Sequence, residues 1–205
     1  MALDGTATGL IASIQEWLDD TSISAFVPDS IRMCEARLNR LLRVSRMEAR
    51  ADATTSGEYL ALPTDCAAVR SIYVAAQFNT RLEPMESGAM RDRFSGFPSQ
   101  TPIAYAISGG QLQFGPVPDK PYTIEVVYYA KLPPLAFNAT NWLLTAHPDV
   151  YLYGSLLSAE MRGWNDSRLP LLKGAFDAGI AEIETDSASF KWGSGPLVPR
   201  MALRA

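Results

Sequence analysis

Histidine and cysteine are nearly missing from this chain of 205 residues, which has one of the first and two of the second. Cys34 and Cys66 are too few for a disulfide scaffold and offer no metal-ligand spacing, which fits synthesis in a reducing cytoplasm. His147, the only imidazole, has no second histidine with which to hold a metal. It immediately precedes Pro148, where a helix cap or a core contact is the expected role. A Ser-His-Asp triad would have to use it, and no nucleophile-elbow motif accompanies it. A phosphate-loop sequence is also lacking, as is a GxGxxG after a strand; Gly193-Ser-Gly-Pro reads as a flexible tail element. Asp19-Asp20 and Glu182/Glu184 are exposed acidic positions without the partner motifs of paired-carboxylate hydrolysis. No catalytic residue, metal or cofactor is expected, and the chain reads as a non-enzyme.

Long apolar runs are missing too. The stretch from Val150 to Ala159 is about half of what a membrane-spanning helix needs, so no membrane association is expected. Asp4 interrupts the first residues and no basic start precedes an apolar run, so no signal peptide is read. Without secretion, the sequons Asn138-Ala-Thr and Asn165-Asp-Ser carry no meaning. A net charge of −4 argues against a general nucleic-acid binder, leaving room only for a local basic face.

What the chain does have is an ordinary globular composition, 47% apolar and 20% charged, with length enough for a sizeable core. The stretch Trp142 to Trp164 is its organising element. Pro148 and Asp149 open the helix and Gly163 closes it, with Val150, Tyr151, Leu152, Tyr153, Leu156, Leu157, Ala159 and Met161 on nearly every side. A helix apolar all round must be surrounded by other elements. Candidate neighbours come from both ends of the chain. Thr6 or Thr8 can cap a first helix carrying Leu10, Ile11, Ile14, Trp17 and Leu18. Ser167 can cap a last one carrying Leu169, Leu172, Phe176, Ile180 and Ile183.

A second helix is predicted from Pro28 to about Arg50. Ile31, Cys34, Leu38, Leu41, Leu42 and Ala49 share one side, while Arg32, Arg40, Arg43, Arg46 and Arg50 fall opposite, with Arg37 near the margin. Only Glu35 and Glu48 offset these arginines. Such a face is either a solvated surface or one that meets an acidic partner, a neighbouring subunit or DNA phosphate.

Between residues 57 and 132 the period changes to alternation. Glu58 to Leu62, Ala68 to Val74, Thr80 to Met85, and Tyr122 to Ala130 read as strands. Ile103 to Ile107 and Gln111 to Phe114 flank Ser108-Gly-Gly, a hairpin signal, and Glu86 to Phe94 has room for one or two helical turns. The expected fold is therefore α+β. A helical bundle (1–56 with 133–189) carries an inserted antiparallel β module (57–132) and an extended C-terminal arm (190–205). The arm sets Phe190, Trp192, Leu197, Val198, Met201 and Leu203 beside Lys191, Arg200 and Arg204. Apolar groups are costly to leave in water, so an arm that orders on a partner is expected.

An ordered set of segments resembles the podovirus-type bacteriophage head–tail adaptor (connector) family. These are Pro28-Asp-Ser-Ile-Arg-Met-Cys-Glu-Ala-Arg-Leu-Asn-Arg-Leu-Leu-Arg, Leu62-Pro-Thr-Asp-Cys, Thr101-Pro-Ile-Ala-Tyr-Ala and Gly110-Gln-Leu-Gln-Phe-Gly-Pro. Glu125-Val-Val-Tyr-Tyr-Ala-Lys-Leu-Pro-Pro-Leu, Thr140-Asn-Trp-Leu-Leu and His147-Pro-Asp-Val-Tyr-Leu-Tyr-Gly-Ser-Leu complete it. The resemblance implies a virion protein of the neck, made in the bacterial host cytoplasm and assembled as a dodecameric ring. It implies a portal protein on one side, tail nozzle or tail fibre proteins on the other, and genomic DNA passing through the lumen without sequence-specific binding. The arginines of helix two would then meet a neighbouring subunit or the portal, and the arm would dock on the portal. The alternative is a DNA-binding or packaging accessory that uses the same arginines.

Overall fold

A computed structural model of the chain describes residues 4–18, 24–55, 57–75, 80–136, 138–163 and 167–192. The chain divides into two compact units, Met1–Arg46 with Leu132–Ala205, and Met47–Lys131. The fold is α+β, with the helices α1 (Ala7–Leu18), α2 (Val27–Leu41), α4 (Trp142–Ala146), α5 (Pro148–Gly163) and α6 (Leu169–Trp192) in the first unit.

At the start of α1, Thr6 Oγ1 accepts from the Gly9 backbone N–H at 3.1 Å, a side-chain cap of the expected kind. Helix α5 is the centre of its unit and packs on α1, α2, α4 and α6. Val150, Tyr151, Leu152, Leu156, Leu157 and Ala159 are buried, with Tyr151 fully so, whereas Met161 is exposed. Burying each large apolar side chain contributes roughly 1.5–3 kcal/mol, so this one helix accounts for much of the unit's cohesion. The stretch beginning at Trp142 is two helices rather than one. The peptide before Pro148 cannot stay helical easily, and His147 stands at the break as the C-cap of α4.

Two glycines set how closely these helices pack. A Cβ on Gly154 of α5 would lie 2.5 Å from Cys34 Sγ of α2 and 2.7 Å from the Phe176 ring of α6. A Cβ on Gly179 of α6 would lie 2.6 Å from Val150 Cγ2. Backbone and side chain are in contact where a methyl group would otherwise stand.

Helix α2 is shorter than the sequence pattern predicts. It ends at Leu41, and a 3₁₀ turn (Ser45–Met47) leads into strand β1 (Glu48–Thr55). The run Glu48-Ala-Arg-Ala-Asp-Ala consists, aspartate apart, of good helix formers, and its alanines and carboxylates are poor strand formers. Eight antiparallel register pairs with β8, from Glu48↔Tyr129 to Thr55↔Tyr122, outweigh that local preference. The second unit accordingly begins at Met47, ten residues before the predicted position of 57.

The other strands are β2 (Tyr59–Ala61), β3 (Cys66–Val74), β4 (Thr80–Arg81), β5 (Glu83–Pro84), β6 (Ala104–Ser108), β7 (Gln111–Gly115) and β8 (Tyr122–Ala130), with α3 (Ser87–Phe94) between β5 and β6. They form two four-stranded sheets, ordered β1-β8-β3-β4 and β2-β7-β6-β5. The pairing is not wholly antiparallel, because β5 runs parallel to β6. Tyr122, Ile124, Val126 and Tyr128 of β8 alternate inward and meet Leu112 and Phe114 of β7 and Tyr105 of β6 in one core. Buried Leu82, between β4 and β5, is where the chain passes from one sheet to the other. The second sheet's other face holds Met90 and Phe94 of α3 against Ala104 and Ala106. Gly109 and Gly110 both have positive φ, 58° and 77°, in the two-residue turn joining β6 to β7, as a type I′ hairpin requires.

Helix α6 continues to Trp192. Phe190 and Lys191, predicted to begin an extended arm, are helical, since Gly193 and Pro196 are the first strong helix-stopping residues after Ser187. Leu197, Val198, Arg200, Met201, Leu203 and Arg204 lie outside the described residues, as does the Trp192 side chain.

Gly154→Ala should destabilise the chain by about 1–3 kcal/mol through overpacking. Gly174→Ala, on α6 where nothing lies within 4 Å of the added carbon, should stabilise it by about 0.5–1 kcal/mol. Urea denaturation of the two variants against the parent checks both signs.

Candidate functional site

Because α2 stops at Leu41, the arginines predicted to share its outer face do not share it. Arg32 and Arg40 are exposed on the helix, with Arg32 3.5 Å from Asp29. Arg43 folds back and donates to the carbonyls of Asn39 and Leu42, a cation closing a helix C-terminus. Arg46 holds its guanidinium 6.0 Å from the centre of the Trp142 ring. Arg50 lies on β1, in the other unit. Arg37, at the margin of the predicted face, is structural: it reaches Asp177 of α6 at 3.7 Å and stacks 4.8 Å over the Phe176 ring.

The most concentrated polar constellation is interior. Glu35 of α2 is buried, and its Oε1 accepts the Leu135 backbone N–H at 2.8 Å and the Tyr151 hydroxyl at 3.4 Å. Asn141 Nδ2 donates to that same hydroxyl at 2.7 Å and to the Pro133 carbonyl at 3.0 Å, while its Oδ1 accepts the Leu144 N–H and caps α4. One turn along α2 from Glu35, Asn39 Oδ1 accepts the Leu132 N–H at 2.8 Å. Burial pushes the Glu35 carboxyl above the usual carboxylate range and the Tyr151 phenol above its own. Burial also drives the Cys34 thiol up to about 12, too high for a thiolate nucleophile. These groups join α2, α5 and the segment entering α4, and their chemistry is that of a fully hydrogen-bonded core. The sequence offers little sign of them beyond a glutamate on the apolar margin of an amphipathic helix.

His147 lines a cavity of about 290 Å³ with Arg46, Trp142, Ile183, Asp186 and Phe190. Ser45 and Ser187 line it too, but they are bonded to each other, Ser187 Oγ donating to Ser45 Oγ at 3.1 Å and accepting the Ser45 N–H at 2.8 Å, while the His147 backbone N–H bonds the Leu143 carbonyl at 2.7 Å. Among the described residues no cluster of histidine, cysteine and carboxylates could hold a metal, and no helix is long and apolar enough to cross a membrane.

The surface of the β unit bears a charged concavity that the sequence reading missed. On β1, Ala49 and Ala51 face the core, so Arg50 and Asp52 face outward. Arg50 is joined there by Arg70 and Tyr73 of β3, Arg81 of β4, and Glu125 and Val127 of β8, around an open hollow of about 440 Å³. Glu125 lies 3.5 Å from Arg50, and Glu48 pairs with Arg70. The signal for it was the strict alternation of charged residues with alanine from Glu48 to Ala53.

The sequence model of the SU10 adaptor protein family matches residues 5–200. The chain belongs to that family. No curated protein matches it. Membership makes it a phage adaptor protein, a structural component of the virion that interacts with other virion proteins. An SU10 adaptor is not expected to catalyse a reaction, and the interior siting of its polar groups suits a framework.

Glu35→Ala should destabilise the protein by about 1–3 kcal/mol, since the Leu135 N–H loses its buried acceptor. Glu35→Gln keeps an acceptor oxygen and removes the buried charge. The folded-state pKa of Glu35 is raised, so its contribution to stability is full below the ordinary glutamate pKa and is lost as pH rises through the folded value. In Glu35→Gln that decline should vanish from a stability–pH profile measured by urea denaturation.

Proposed function

We propose that this adaptor is a head–tail connector of the podovirus type. In this reading its copies form a ring that docks on the portal, extends the DNA channel and provides the platform on which the tail is attached. The observation that carries the reading is the family match over residues 5–200. The described surface agrees in kind. Large apolar groups stand exposed on helices, with Phe190 81% and Leu171 78% exposed on α6 and Met161 65% exposed on α5. Apolar and aromatic groups left in water are typical anchors at protein–protein contacts.

The arginines take separate parts. Arg32 and Arg40 remain available on α2 for a neighbour or the portal, whereas Arg43 and Arg46 are engaged within their own unit. The segment after Trp192, with Leu197, Val198, Arg200, Met201, Leu203 and Arg204, is the portal-docking arm, and exposed Phe190 just before it extends the same apolar surface. DNA passes through the ring without being read.

Negative-stain imaging of the purified protein, alone and mixed with portal, should show a ring docked coaxially on the portal; single chains with no docked density would overturn the reading. A chain ending at Trp192 keeps all of α6. It should bind portal at least about tenfold more weakly, the equivalent of about 1.4 kcal/mol, and unchanged affinity would remove the arm from the interface.

A further inference from the structure

We infer that the arginine-bearing outer face of the β1-β8-β3-β4 sheet is the docking surface for the acidic outer stripe of α6 from a second copy of this chain. The inference builds on the ring reading above and names the contact that would close it.

The α6 stripe holds charge that the described residues leave uncompensated. Glu182 and Asp186 are four residues apart on an exposed face, and Glu184 is exposed nearby. Among the described residues no basic side chain pairs with any of the three, whereas Asp177 earlier on the same helix is held by Arg37 at 3.7 Å and Lys173 at 3.3 Å. Like charges at this spacing repel. The carboxylates therefore stand where local electrostatics disfavour them. Around Glu182 and Asp186 the surface is a shallow depression whose other residues, Ala181, Thr185 and Ser189, are all small. Another surface can approach closely there.

The sheet face offers cations that can answer it. Arg50 is 78% exposed at its side chain, and exposed Arg81 has no ion-pair partner among the described residues. Both border the open hollow above Tyr73 and Val127. Duplex DNA fits this face less well than a protein does. Glu48, Asp52 and Glu125 are interleaved with the arginines and would oppose a continuous row of phosphates, while two carboxylates on a helix can meet Arg81 and the exposed Arg50, whose one ion pair, with Glu125 at 3.5 Å, is long. Because the two surfaces differ, each copy would keep one free surface of each kind after a contact forms. That is the head-to-tail arrangement from which rings are built.

Charge exchange tests this directly. Arg81→Glu, and separately Glu182→Arg with Asp186→Arg, change groups without ion pairs among the described residues, so circular dichroism should be unaltered. Each should raise the concentration for half-assembly about tenfold or more, read by mass photometry with and without portal. An equimolar mixture of the two variants, or one chain carrying all three changes, should recover assembly. If both variants assemble like the parent, this contact is wrong and the ring reading stands. A parent chain that never self-associates, even with portal, overturns both. Arg81→Glu that assembles normally but loses affinity for duplex DNA overturns the contact in favour of a nucleic-acid surface.

Discussion

The helical unit depends on how the chain is caught at Pro133-Pro134, where it re-enters that unit. Two consecutive prolines have no N–H to donate, so the segment can be held only through its carbonyls and through the N–H groups on either side. Helix α2 supplies both acceptors from one face, one turn apart: Asn39 takes the Leu132 N–H and Glu35 takes the Leu135 N–H. Asn141 closes the arrangement from the far side by donating to the Pro133 carbonyl and to Tyr151. A buried carboxylate is expensive in isolation. Here its burial is offset because the Leu135 N–H and the Tyr151 hydroxyl both converge on one of its oxygens.

With the segment fixed, α5 has a defined place. Its tyrosine is tied to α2 and to the start of α4, and its glycine lets α2 and α6 close to within contact of its backbone. Ion pairs then trim the assembly. Arg37 draws α6 against α2, and buried Glu160 of α5 meets Arg168 at 3.0 Å just before α6 begins. The β unit obtains its rigidity differently, from two sheets sharing one apolar core, with α3 covering the far side of the second.

The elements legible in the sequence were those whose apolar period was strong and locally punctuated. The all-round apolar character of α5, the stripe of α6, the β8 strand and the Gly109-Gly110 turn each stand on residues that leave few alternatives. The miss at Glu48–Thr55 has a specific cause. Alanine, arginine and glutamate favour helix locally, and the period-two alternation of charge with alanine loses to an uninterrupted helical pattern upstream. Only pairing with β8, more than sixty residues away, decides the matter. That single error moved Arg50 onto a different surface and dissolved the predicted arginine face. The Glu35 clamp was illegible for a related reason: its partners are backbone N–H groups near residue 135, and side-chain patterning carries no record of them.

The distribution of charge separates what holds the fold from what is left for other molecules. Arg37, Arg43, Glu35 and Glu160 are consumed by internal bonds, and removing any of them would be felt as lost stability. Arg81, Glu182, Glu184 and Asp186 make no ion pair among the described residues, and Glu182 and Asp186 repel each other one turn apart. A monomer selected only for stability would gain by replacing those carboxylates with lysines. Their retention is understandable for an adaptor whose working state is an assembly, because charges unfavourable in the free chain become favourable when a complementary face arrives. A modest local cost in the free subunit then serves to bias the equilibrium toward the assembled form and to fix which face meets which.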